Sequence, residues 1–340
     1  MRIQSLSARL LGICAFVVAL SGLALASSAP QTQDKPKVSE GEVNAANAVK
    51  TAADNDGKMA AADAFVKKYP QSTIRHQVAE YLVNHILGVT DPNQKLALAQ
   101  KYGTIFTDKA DAEIIKPAII DADVKLGRFD EAFAGGATHL ANDPEDIQVL
   151  VLLAITGVDQ AKNKNPKFLS VSEQYGAKAI EMLEGDKKPA DMDAAFWTQE
   201  KAVLPQLYQQ LAIVALMQLK PAEAQPKLEK ALKLAPADPY NYFLLGSIAN
   251  DEYQKMAQTY KGMSPGKEQE DQLAKATAKL DSVIDLFAHA VALSEGKPQY
   301  QQFHDQILQD LTTYYSYRHN KSTDGLQKLI DGYKVAPKSN

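Results

Sequence analysis

Apolar residues recur along this chain at intervals of three and four from residue 42 onward, the spacing that lines one face of a helix. Gly, Pro and Asn-Asp pairs interrupt the pattern, and no run of alternating β-branched residues suggests a strand. The first helices are predicted near Val43–Ala53 and at Lys58–Tyr69, where Ala61, Ala62, Phe65 and Tyr69 share a face ahead of Pro70. A helix from Ser72, read as its cap, to Leu87 and another from Pro92 to Phe106 form the next pair. Ala110–Leu126 and Phe129–Ala141, joined through Gly127, form a third, in which Gly136 stands where a large residue is expected and implies loose packing or a different crossing. Further on, Leu150, Leu153 and Ala154 lead a helix whose partner, Ser170–Leu183, carries Gly176 as the small residue of the crossing. Residues around Asp191–Leu204, with the lone Trp197, are predicted to lengthen the following helix at its start. A helix running past Ala249 to Tyr260, a break at Gly262–Gly266 and a charged helix to Leu293 make an extended hairpin, about 254–280. Gln299–His319 and Asp324–Val335 close the chain.

Two stretches repeat each other. Pro205, Tyr208, Leu211, Ala212 and Ala215 match Pro239, Tyr242, Leu245, Gly246 and Ala249 at a constant offset of 34, and Ala224, Leu228, Ala231 and Pro236 continue the first copy. Small residues at 212 and 246 allow a second helix to cross close to the backbone of the first, and Pro236, lacking an amide donor, ends that second helix. The period and the columns resemble the tetratricopeptide repeat. The resemblance implies an all-α, right-handed α-solenoid of about seven antiparallel helix pairs, with its clearest repeats at 113–146, 147–190, 205–238 and 239–297.

Such arrays bind partners along the side formed by their first helices. Carried onto this chain, that side holds Gln206, Gln209, Ile213, Leu216, Tyr240, Phe243, Ser247 and Asn250, a mixture suited to an extended peptide or a helix. The alternative for Tyr240 and Phe243 is that they cover the neighbouring repeat. One subtype of the family grips an acidic peptide terminus with Lys and Asn on these helices. Here Gln209, Ile213, Phe243 and Ser247 occupy the comparable places, so that clamp is not implied. Tyr314, Tyr315, Tyr317 and Arg318 form a second cluster, read as a cap on the last interface.

Composition narrows the picture. Of 340 residues, 45% are hydrophobic and 23% charged, ordinary for a chain with an adequate core. Arg2 and Arg9 precede an apolar run, Leu10–Leu25, that ends in Ala24-Leu25-Ala26: the marks of an export leader, residues 1–26, cleaved near Ala26 to leave a periplasmic or secreted protein. An uncleaved anchor is the rival reading. Residues 27–41, polar and proline-containing, are expected to be a disordered linker before a repeat domain at 42–340. The only cysteine, Cys14, lies in the leader, which leaves the mature chain without disulfide or thiol chemistry. A net charge of −4 disfavours nucleic acid as a partner, and no later stretch is apolar for long enough to span a membrane.

Catalytic patterns are not found. The six histidines, at 76, 85, 139, 289, 304 and 319, include no H-E-x-x-H, and there is neither a G-x-S-x-G nor a phosphate-binding loop. Asp143, Glu145 and Asp146 sit at a helix start, where they offset the backbone dipole, and the charges of 267–279 interleave as on a solvated face. The expectation is a non-enzymatic scaffold without metal or cofactor that binds a protein or peptide. A glycan- or small-ligand-binding protein using the groove aromatics is the alternative, and an enzyme site built on the inserted hairpin is a third.

Overall fold

Caps and prolines set where the helices begin and break. The computed structural model describes residues 38–185, 187–189 and 192–334, so the leader, most of the expected linker and the last six residues lie outside what is described. α1 (Glu40–Thr51) starts inside the stretch expected to be a linker. The cause is a capping box: the Ser39 hydroxyl accepts from the Glu42 amide at 3.3 Å, and the Glu42 carboxylate accepts from the Ser39 amide at 2.7 Å. Asp54 caps α2 (Asn55–Lys68) through the Gly57 amide. α3 (Arg75–Leu87) begins three residues after Ser72, whose hydroxyl accepts from Ile74 in the preceding turn and caps nothing. Asp91 caps α4 (Pro92–Ile105).

The single helix expected over Ala110–Leu126 is two, α5 (Lys109–Ile114) and α6 (Lys116–Lys125). Pro117 has no amide to return to the carbonyl four residues back, so the helix restarts there. After Gly127, at φ +75°, the chain reverses into α7 (Phe129–Asn142) and then α8 (Ile147–Lys162).

Contacts divide the chain into two units within α8, after Leu153. In the N-terminal unit α1 pairs with α2, α3 with α4, and α5–α6 with α7. Val49, Met59, Phe65, Leu82, Ile86, Tyr102 and Phe106 share its core. Of the two expectations for Gly136, loose packing does not hold: a Cβ there would overlap Leu153 Cδ1, so the missing side chain is space that Leu153 fills. Charges are buried here as well. Lys95, with none of its surface exposed, pairs with Asp121, which also takes Lys125 at 2.7 Å. Burial pulls the Lys95 ammonium below its usual range, against the opposing pull of Asp121.

The C-terminal unit continues from Ala154 through a 3-10 turn (Pro166–Phe168), α9 (Leu169–Glu184), α10 (Ala194–Lys201), α11 (Leu204–Met217), α12 (Pro221–Leu234), α13 (Pro239–Lys261), α14 (Lys267–Ser294), α15 (Gln301–Arg318) and α16 (Leu326–Tyr333). α10 is a separate helix, not an extension of α11, because Pro205 interrupts the amide ladder just after it; Trp197 on α10 is buried. Second helices then pack on the following first helices in a regular order: α9 on α11, α12 on α13, α14 on α15. In this unit α11 pairs with α12 and α13 with α14, α16 packs on α14, and α10 stands outside the pairing.

Two turns share one geometry. Between α6 and α7 the Arg128 amide donates to the Asp123 carbonyl at 2.8 Å, with Gly127 left-handed; between α11 and α12 the Lys220 amide donates to Ala215 at 2.9 Å, with Leu219 at φ +59°. Leu219 thus occupies a glycine's place, with 87% of its surface exposed. α13 and α14, at 23 and 28 residues, outrun the 14-residue helices of the pair before them and form a projecting arm. From residue 250 to residue 275 no side chain is fully buried.

Candidate functional site

The first helices of the C-terminal unit, α11, α13 and α15, carry the residues singled out from the repeat pattern. Two of them turn inward. Gln209 is buried and donates through Nε2 to Asp238 Oδ2 and to Asn241 Oδ1, both at 2.9 Å; Ile213 is buried in an apolar cluster with Leu244 and Ile248. Gln206 and Leu216 are half-buried. Ser247 donates its hydroxyl to the Phe243 carbonyl at 2.9 Å, and Asn250 accepts from Gln254 at 3.4 Å.

Tyr240 and Phe243 are half-buried and meet α15. Their rings lie 5.5 and 5.2 Å from Phe303, whose other neighbour is Tyr300 at 6.1 Å. The contacts continue from Phe243 to Phe287 at 6.2 Å, on to Tyr314 at 6.3 Å, and from Tyr314 edge-on to Tyr253 at 6.4 Å. A chain of rings therefore joins α13, α14 and α15, and Tyr317, 71% exposed, stands near its Tyr253 end. Burial first, and the Asp238 carboxylate second, push the Tyr240 and Tyr300 hydroxyls above the usual phenol range, so both remain protonated donors at neutral pH. Tyr300 and Phe303 were not among the residues expected here, yet a signal for them exists: Tyr-x-x-Phe recurs at 240–243, in the first turn of α13, and at 300–303, where Tyr300 immediately precedes α15.

One histidine–carboxylate group in the N-terminal unit has the spacing of a cation site among the described residues: His139, Asp143 and Asp146. Its atoms are already engaged in starting α8. Asp146 Oδ1 accepts from the Gln148 and Val149 amides at 3.1 and 3.0 Å, and Oδ2 meets His139 Nε2 at 2.8 Å. His139 Nδ1 is buried with no partner, whereas a ligating imidazole is ordinarily steered by a hydrogen bond on its second nitrogen. No helix among the described residues is long and apolar enough to cross a membrane.

The close crossing decides the architecture. At Gly246 a Cβ would stand 2.5 Å from Phe287 on α14, and Ala212 shares a fully buried cluster with Ala224 and Leu228 of α12. Helices of one pair therefore cross closely at the positions where the repeated pattern places small residues. No family model and no curated protein matches the sequence. Among solved structures, the chain is similar to a tetratricopeptide repeat protein from Parabacteroides merdae ATCC 43184, at 13% identity and a TM-score of 0.40, covering 86% of this chain and 97% of that one. The regular helix pairs coexist with departures from the 34-residue pattern: the broken helix at Pro117, the separate α10 and the arm.

Proposed function

We propose that this chain is a non-enzymatic scaffold that binds a protein or peptide partner on the side of its C-terminal unit formed by α11, α13 and α15. The observation that carries the reading is the row of half-buried and exposed rings ending in Tyr314 and Tyr317, fixed from behind by Phe287 and Tyr253. Rigid aromatic groups supply large contact area at little conformational cost, which is why tyrosine is enriched at binding hot spots. The export leader expected at residues 1–26 would place the scaffold in the periplasm or outside the cell.

The test is affinity capture from a cell-envelope extract with the full mature chain and with Tyr314→Ala/Tyr317→Ala. A protein retained by the first and released by the second, with the helical signal of the variant unchanged, supports the reading. Retention unchanged by the double substitution removes these rings from the interface. Loss of binding to a glycan array in the same variant, with no protein captured by either chain, would assign the surface to a carbohydrate instead.

A further inference from the structure

The last helix, α16, is only eight residues long, too short to persist without support. Leu326 and Ile330 bury against the core that α14 and α15 share, Leu329 packs beside them, and Tyr333 and the Lys334–Glu295 ion pair hold the C-terminal end. Its ring lies on the imidazole of His289, with centroids 3.4 Å apart, while Tyr242 of α13 covers the opposite imidazole face at 4.6 Å and 2°. The Tyr333 hydroxyl donates to the carboxylate of Asp285, one turn before His289 on α14. His289 Nδ1 lies 3.2 Å from the Asp285 carbonyl and 3.9 Å from its carboxylate. With the imidazole neutral, the Nδ1 proton goes to the carbonyl and the carboxylate belongs to Tyr333.

We propose that this arrangement is a proton-operated latch: a proton on His289 draws the Asp285 carboxylate from Tyr333 to the imidazolium and releases α16 from α14. Burial between two rings holds the His289 pKa below the ordinary imidazole value, and the Asp285 carbonyl and carboxylate oppose this less strongly. A depressed folded-state pKa fixes the sign. The attachment is complete above the ordinary value of about 6.5 and weakens as pH falls through the lower, folded-state value.

Neighbouring charges are otherwise matched. Arg318 of α15 holds Asp281 of α14 at 2.7 Å, Lys334 bridges Glu295 and Asp331 at 2.6 and 2.8 Å, and Lys279 of α14 meets Glu252 of α13 at 2.6 Å. Lys328 of α16 is exposed. Two further histidines lie on α15: His304 meets Ser294 at 3.1 Å, and His319 stacks on Tyr315. The latter borders an open cavity of about 310 Å³ with Asp281, Ile284, Asp285 and Leu329. Release of α16 would uncover Ile284 and Tyr315 there.

Backbone hydrogen exchange of the full chain at pH 7.5 and 5.0, corrected for intrinsic rates, tests the latch. Protection of residues 326–333 is expected to fall several-fold relative to α11 on acidification. His289→Phe keeps the stack without the proton and should hold protection level across the two conditions, while His304→Gln and His319→Gln should respond like the parent. Should His289→Phe fail to dock α16 at pH 7.5, Tyr333→Phe decides: a diminished pH response supports the latch, and a full one overturns it. A parent chain with pH-independent protection of α16, or an undiminished response in a docked His289→Phe, also overturns it.

Discussion

Single atoms carry much of the specification. At Gly246 even one added carbon meets Phe287 at 2.5 Å, so Gly246→Ala is expected to cost about 1–3 kcal/mol by overpacking, read as a lower urea midpoint. Leu219→Gly should act in the opposite direction. The leucine is left-handed and 87% exposed, so its removal relieves about 1 kcal/mol of backbone strain while giving up little packing. An unchanged or lowered midpoint for this variant would mean that the leucine makes a contact that outweighs its conformation. The small residues at 212 and 246 were legible in the sequence, because a repeated column of Ala and Gly has one simple physical cause. Gly136 was only half legible: its column predicts a large residue, which leaves loose packing and a different crossing open, and only the neighbour, Leu153, reveals how the gap is closed.

Helices as units were largely legible, their ends less so. Apolar spacing locates α2, α4, α7, α9 and α11–α15, since each buries one continuous face. Pro117 and Pro205 split helices that the spacing alone would run together, and the Ser39–Glu42 box starts α1 within a stretch whose composition reads as unstructured. No periodic pattern anticipates the Lys95–Asp121–Lys125 cluster, because a charge buried by its neighbours looks on paper like a charge in water. Asp121→Leu strands Lys95 in the core and is expected to cost about 3–5 kcal/mol. Lys95→Met leaves Asp121 paired with Lys125 and should cost distinctly less. Equal losses for the two variants in chemical denaturation would show that the lysine's charge is not what Asp121 compensates.

Helix pairing in the C-terminal unit was legible through its period, whereas the burial of the expected binding positions was not. Eight positions were expected to face a partner. Gln209 and Ile213 face the interior, because α13 lies close enough to cover them, whereas Tyr240 and Phe243 meet Phe303 across a neighbour that the 34-residue register does not locate. The arm belongs to this level too. Without a fully buried side chain between residues 250 and 275, it adds to the core of the C-terminal unit only Tyr253, at its base. Replacing 257–271 by a short Gly-Ser turn is therefore expected to shift the melting temperature by less than about 4 °C, the change that roughly 1 kcal/mol brings to a domain of this size. A larger fall would show the arm to be an integral support.

The same arm has a consequence for how the chain tolerates being opened. Its tip, Gly262–Gly266, joins two helices that are each anchored by their own inner halves: α13 through Leu244, Ile248 and Ala249, α14 through Leu280, Val283 and Phe287. A protease nick at the tip would leave two fragments that elute together and melt as one. New termini introduced there, with the old ones joined by a linker, would give a permuted protein whose core does not register the change in chain order.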